Sequence, residues 1–150
     1  MSLTITKHSE AFSSTQQISP EDMAEIAALG FKTVINARPD NEGGSDQPSS
    51  SSIQLAAEKA GLHYVYIPVV PNNIQPTDIE ACANFVADAP APILGFCKSG
   101  MRATSLYKSA QQTINPNAST NKQNWLMSKL SYFFKNKCLI TKLCRKLTAK

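Results

Sequence analysis

PILGFCKSGMR, from Pro92 to Arg102, is the stretch whose reading decides this chain. Ile93-Leu94-Gly95-Phe96 is a short, wholly apolar run, the type expected in the middle of a parallel sheet covered on both faces. Cys97-Lys98-Ser99-Gly100-Met101-Arg102 follows it and leads into an expected helix of about Ala103 to Gln112. Backbone N–H groups at a helix N-terminus have no partner inside the helix and point outward, which makes a seat for an anion. Gly100 allows a tight turn and close backbone approach. Arg102 carries a fork of donors that suits two oxygens of one anion. A cysteine at the mouth of such a cradle sits in a positive field, so its thiol is expected to ionise more readily. Cys97 is therefore the candidate nucleophile and Arg102 the candidate anion clamp, with Lys98, Ser99, Gly100 and Met101 lining the substrate seat. The plainer alternative is a small core cysteine that ends a strand. The Lys, Ser, Gly and Arg beside Cys97 favour the active loop, whereas Cys82, with no charged cradle, reads as core packing.

Working outward, helix and strand signals alternate. Ser19-Pro20-Glu21-Asp22 reads as a helix start, because Ser caps, Pro fits the first helical position and the acids suit the positive helix end. Met23, Ile26, Ala27 and Leu29 give the apolar stripe and Gly30 the stop. Phe31 to Asn36 reads as a β-branched strand. Arg38 to Gly44 breaks it, and Gln47-Pro48 with the serines Ser49 to Ser52 reads as a mobile loop. A second helix is expected from Ile53 to Ala60 and a second strand from Leu62 to Val70. Thr77-Asp78-Ile79-Glu80 matches a capping box and opens a third helix, with Ile79, Cys82 or Ala83, and Val86 inward. Repeated strand–helix–strand crossovers imply an α/β fold around a mainly parallel sheet. Loops leaving the carboxyl ends of parallel strands share one edge. The loops at Arg38–Glu42, Pro68–Asn73 and Cys97–Arg102 are thus expected to converge. That makes Arg38 and Asp40 candidate substrate-binding or supporting groups, unless they cap a turn or pair with each other.

Charge is unevenly spread. Residues 1–112 hold seven Lys/Arg against eleven Asp/Glu, and residues 113–150 hold eight and none, giving +4 for the whole chain. The expected organisation is a globular body at 1–112, a polar linker at 113–121 and a basic amphipathic tail at 122–150. In the tail, Leu139, Leu143 and Leu147 fall at helical spacing. It either lies on an anionic membrane surface or completes the core of the body. Its charge has no nucleic-acid motif behind it, so no specific nucleic-acid partner is expected. No signal-peptide pattern and no run of about 18 apolar residues is present, so a cytoplasmic protein with reduced thiols is expected. There is no Cys-x-x-Cys, and His8 and His63 are isolated, so neither a metal nor another cofactor is expected.

Three separated runs carry a family resemblance. They are TQQISPEDMAEIAALGFKTVINARPDNEGGSDQPS from Thr15, AAEKAGLHYVYIPV from Ala56, and PILGFCKSGMRAT from Pro92. Over roughly Ser14 to Gln112 the chain resembles the phosphatase-like domain of beta-lactamase-hydrolase-like proteins, which is related to dual-specificity protein tyrosine phosphatases. The resemblance implies a three-layer phosphatase-like fold of dual-specificity type, with helices flanking a mainly parallel sheet. It implies a hydrolase acting on a small anionic substrate, with Cys97 as nucleophile and Arg102 clamping the oxyanion. Two departures keep alternatives open. Ordinary tyrosine phosphatases place five residues between cysteine and arginine, and here there are four: Lys98, Ser99, Gly100 and Met101. The pattern Cys-Lys-x-Gly-x-Arg also resembles rhodanese sulfurtransferases, so a sulfurtransferase or persulfide carrier using the same cysteine is the first alternative. Dual-specificity enzymes also carry an acidic proton donor on the loop after the strand equivalent to Tyr64–Val69. Here that loop is Val70-Pro71-Asn72-Asn73, and Asp78 reads as helix-start charge. A non-catalytic anion-binding module is the second alternative.

Overall fold

The computed structural model describes residues 3–115. The linker beyond 115 and the tail at 122–150, with the membrane contact expected of it, lie outside the described residues. Five strands form one sheet: β1 (Ile5–Lys7), β2 (Phe12–Thr15), β3 (Thr33–Asn36), β4 (His63–Tyr66) and β5 (Ile93–Phe96). Their order is β1-β2-β5-β3-β4. Only β1 runs antiparallel to its neighbour, and the β2–β5, β5–β3 and β3–β4 pairs are parallel. The all-apolar β5 is the central strand and is buried along its whole length.

The helices are α1 (Met23–Ala28), α2 (Ser50–Lys59), α3 (Pro76–Asp88) and α4 (Met101–Ile114). They cover both faces of the sheet, which makes three layers. On one face Ile35, Ile93 and Phe12 pack with Cys82, Ala83 and Val86 of α3 and with Ala103, Leu106, Tyr107 and Ala110 of α4. On the other, Val34, Leu94 and Phe96 pack with Met23 and Ile26 of α1 and Ile53 and Ala57 of α2. Successive residues of β5 therefore serve opposite layers, as the alternation of side chains along a strand requires.

Several expectations change. The serines after Pro48 are the start of α2, and no loop separates them from it. Ser49 caps by accepting from the Ser52 amide at 3.2 Å, and the helix begins at Ser50. Serine favours caps and turns alike, because its hydroxyl bonds to nearby backbone, so composition does not separate the two. The capping box of α3 lies earlier than Thr77: Gln75 is the cap, Pro76 the first residue, and Asp78 accepts from the Gln75 amide at 2.9 Å. Leu29 is 56% exposed and lies outside the core. Strands β1 and β2 carry no apolar alternation to announce them, and Ser13, Ser14 and Thr15 are buried because β2 lies between β1 and β5.

Gly95 is required by packing. A Cβ there would lie 2.9 Å from two atoms of the Phe12 ring and 3.1 Å from the Ala103 Cβ. The Phe12 ring has little freedom to move, since it stacks on Tyr107 with centroids 3.9 Å apart and planes at 6°. Gly95→Ala is therefore expected to cost about 1–3 kcal/mol through overpacking. Urea unfolding of the two proteins measures it, and equal midpoints would count against the packing described.

Candidate active site

The site is built where β5 ends. Cys97 to Gly100 turn tightly, and α4 begins at Met101. Gly100 has φ +89°, a region that side-chain-bearing residues rarely adopt, and a Cβ on it would meet the Thr15 carbonyl oxygen at 2.9 Å. Only glycine combines this turn with so close an approach to β2. The Gly100 N–H donates to Cys97 Sγ at 3.1 Å.

Cys97 is fully buried. Burial pushes its thiol up, but the amides of Ala103, Ser99, Arg102 and Gly100 outweigh burial and bring it below its ordinary value. Ser99 and Gly100 belong to the turn, and Arg102 and Ala103 to the first turn of α4, whose N–H groups have no partner within the helix. Cys82 has burial without such amides, and its thiol is pushed up to about 12. One buried thiol is thus prepared for ionisation and the other opposed to it.

Arg102 reaches across the carboxyl edge of the sheet. Its Nη1 donates to the Val69 carbonyl at 2.8 Å and its Nη2 to Glu42 Oε2 at 2.8 Å. Each terminal nitrogen carries a second N–H, so donors remain for an anion after both contacts are made. Burial opposes the charge of Arg102, but Glu42 and Cys97 more than offset it, and the group is held more firmly protonated than usual.

The loop after β3 supplies the counter-charge. Arg38 is buried; its Nε donates to the same Glu42 Oε2 at 2.8 Å, and its Nη1 to Gln17 Oε1 at 2.8 Å. Asn36 braces the loop, accepting from the Arg38 amide and donating to the Tyr64 hydroxyl, both at 2.9 Å. Asp40 faces elsewhere: its carboxylate accepts from the Ser50 amide at 2.8 Å and the Ser50 hydroxyl at 2.6 Å, at the start of α2. The three loops meet as parallel-sheet geometry requires. Arg38 reaches the group only through Glu42, and Asp40 fixes a helix terminus. Lys98, Ser99 and Met101 are exposed on the loop. Met101 and Arg102 border a shallow groove of about 380 Å³ with Asn72, Ile74 and Ser105.

Glu42 is the residue that sequence reasoning passed over. Its signal is an acid four residues after Arg38, on a loop that also had to meet Arg102. The Arg102 hydrogen bond, opposed by burial and aided by Arg38, holds its carboxyl below the ordinary 4.5.

A three-layer α/β domain with a cysteine–arginine loop at the carboxyl edge of its central strand has the form of a phosphatase-like domain. Residues 4–114 match the family described as beta-lactamase hydrolase-like protein, phosphatase-like domain, and the chain belongs to that family. A beta-lactamase hydrolase-like protein of Agrobacterium fabrum is 42% identical over 86 residues, which is 57% of this chain and 20% of that protein. The chain thus spans about a fifth of the length of that relative. A crystal structure of a candidate phosphatase from Neisseria meningitidis superposes with a TM-score of 0.62 at 34% identity, covering 69% of this chain and 72% of its own. Tk-PTP, at 14% identity and a TM-score of 0.53, covering 88% of this chain and 97% of its own, shares the fold.

The Glu42 interaction gives a stability prediction with a definite sign. Its carboxyl is lowered on folding, so its contribution is fully present above the unfolded value near 4.5 and is lost as pH falls through the folded value. Glu42→Gln is expected to be less stable than the native chain at pH 7, with the gap narrowing as pH drops below 4.5. Urea midpoints at pH 7 and pH 3.5 measure it, and a gap that does not change with pH would remove the ion pair from the account.

Proposed function

We propose that the chain is a cysteine-dependent phosphatase acting on a small anionic phosphoester. The Cys97 thiolate attacks phosphorus, the P–O bond to the leaving group breaks, and the departing oxygen takes a proton from water. A second water then cleaves the cysteinyl phosphate, releasing inorganic phosphate and restoring the thiolate. The observation that carries this reading is the placement of Cys97 at the carboxyl end of β5, where its Sγ accepts from the Gly100 amide at 3.1 Å just before α4, with Arg102 in the first turn of that helix. Arg102 offers its remaining N–H groups to the equatorial oxygens, where charge spreads in the transition state. Lys98, Ser99 and Gly100 frame the anion, and Met101 with Ile74 gives the groove an apolar side for the rest of the substrate. The chemistry needs Cys97 reduced, which suits the cytoplasm.

One observation favours a second reading, sulfur transfer through a persulfide on Cys97. Three carboxyls on or beside the converging loops are engaged: Asp40 by Ser50, Glu42 by two arginines, Asp78 by Gln75. Phosphoester hydrolysis without a proton donor depends strongly on the leaving group. A sulfur transfer through the short loop has no such need.

Paired assays separate the readings. On the phosphatase reading, aryl phosphates with acidic phenols are hydrolysed, vanadate blocks the reaction, and rates fall steeply as the phenol pKa rises. Turnover of thiosulfate with cyanide, without phosphate release, would support the sulfur reading. Anion binding without either turnover would leave a binding module. Cys97→Ser is expected to abolish turnover while the fold persists, since a hydroxyl is a far weaker nucleophile at neutral pH. Arg102→Lys keeps the charge but loses the fork and the bridge to Val69 and Glu42. It is expected to lower kcat/KM at least about tenfold, equivalent to 1.4 kcal/mol. Unchanged kinetics and anion affinity in Arg102→Lys would rule out the clamp.

A further inference from the structure

His8 lies outside the group described so far, at the turn between β1 and β2. Its amide donates to the Phe12 carbonyl at 3.1 Å, and its ring stacks on the Phe12 ring with centroids 5.7 Å apart. Phe12 in turn stacks on Tyr107 of α4. With the ring so placed, Nε2 lies 2.8 Å from Ser14 Oγ and 3.3 Å from Thr104 Oγ1. Ser14 belongs to β2 and Thr104 to the first turn of α4, so one imidazole nitrogen spans two elements that are far apart in the chain.

Both hydroxyls flank Gly100. Thr104 Oγ1 donates to the Gly100 carbonyl at 2.9 Å, and the Thr104 amide donates to the same oxygen at 3.0 Å. On the other side, a Cβ on Gly100 would lie 3.3 Å from Ser14 Oγ. Because Thr104 spends its one hydroxyl proton on Gly100, its contact with His8 is one in which the ring donates. An Nε2–H shared between Ser14 and Thr104 satisfies both contacts at once. Gly100 then donates its own amide to Cys97 Sγ at 3.1 Å. The polar path runs His8, Thr104, Gly100, Cys97, with Ser14 as the anchor in the sheet.

We propose that His8 is a positioning residue for the nucleophile loop: by bridging Ser14 of β2 and Thr104 of α4 it fixes the Gly100 turn, and with it the amide that donates to Cys97. This rests on the reading of Cys97 as a thiolate nucleophile. The role is one of placement, since the polar contacts of the His8 ring are with Ser14 and Thr104 and not with the sulfur.

The test uses the full chain and reads Cys97 directly, through the pH dependence of its alkylation by iodoacetamide resolved by peptide mass. His8→Phe keeps a ring to stack on Phe12 and removes the nitrogen. It is expected to raise the midpoint of the alkylation profile by roughly half a pH unit or more, as a displaced donor no longer favours the thiolate. Thr104→Val is expected to do the same, and Thr104→Ser, which keeps the hydroxyl, to retain the native midpoint. A merely structural role for His8 would change unfolding midpoints and leave the alkylation midpoint in place. If His8→Phe does not fold, Ser14→Ala carries the same expectation. A native midpoint in folded His8→Phe would overturn the positioning role, whatever Thr104→Val shows, while leaving the Cys97 reading intact. A native midpoint at or above the roughly 8.5 of a free cysteine would overturn both.

Discussion

Two guanidinium groups share one carboxylate oxygen, and the geometry of the site depends on it. Arg38 and Arg102 both donate to Glu42 Oε2 at 2.8 Å. Arg38 is buried, and Arg102 keeps only 14% of its side chain exposed, so the two cations cannot rely on solvent to screen their repulsion. Glu42 lies between them and turns a repulsion into a tether. The tether joins the loop after β3 to the first turn of α4, and the Arg102 contact with the Val69 carbonyl adds the loop after β4. Three segments distant in sequence are thereby held to one edge of the sheet. The charges also balance: two arginines stand against one carboxylate and, when ionised, one thiolate. Arg102 is anchored without being used up, which an anion clamp needs, because a guanidinium held in place loses less entropy on binding than a free one.

The other constraint is the length of the loop. Four residues between Cys97 and Arg102 leave little backbone with which to surround a ligand. The amides of Ser99, Gly100, Arg102 and Ala103 act on the sulfur itself. Their field overcomes the burial that pushes Cys82, on the same side of the sheet, to about 12. The contrast isolates the cause. Both thiols are shut away from solvent in the same core, and only the one at a helix start, beside an arginine, is lowered. The low value of Cys97 is a property of the turn, which depends on Gly100 being able to take φ +89° against Thr15.

How far the sequence could be read follows from the range of the interactions involved. The central strand and its loop were legible because their signals are local: four apolar residues, then Gly and Arg at fixed offsets from a cysteine. The helices around Ile26 and Val86 were legible for the same reason, from spacing on one face. Strand β2 was not. Phe12-Ser13-Ser14-Thr15 looks polar, and its burial comes from pairing with Ile93–Phe96, some eighty residues away. Local composition also misled at Ser49–Ser52, since serines serve a loop and a helix cap equally well. Parallel topology brought the right loops together, yet it could not say which acid on the first loop would face the arginines. Asp40 and Glu42 are two residues apart, and their partners, Ser50 and Arg102, are separated by about a third of the chain.

That division of labour between two neighbouring acids has a chemical consequence. Asp40 closes the start of α2 with both carboxylate oxygens, and Glu42 is committed to two cations that keep it ionised. Asp78 accepts from the amide of Gln75, the cap of α3. A carboxyl serves as a proton donor only if it is protonated near the working pH and free to approach the leaving group. Glu42 fails the first condition because its neighbours favour the charged form. Asp40 and Asp78 fail the second because moving either one gives up a hydrogen bond at the start of a helix. The loops around Cys97 and Arg102 have therefore drawn Asp40, Glu42 and Asp78 into structural roles. On the reading of Cys97 as the nucleophile, the site is strong in electrostatic positioning and poor in proton delivery, and substrates whose leaving group departs as a stable anion are the ones it suits.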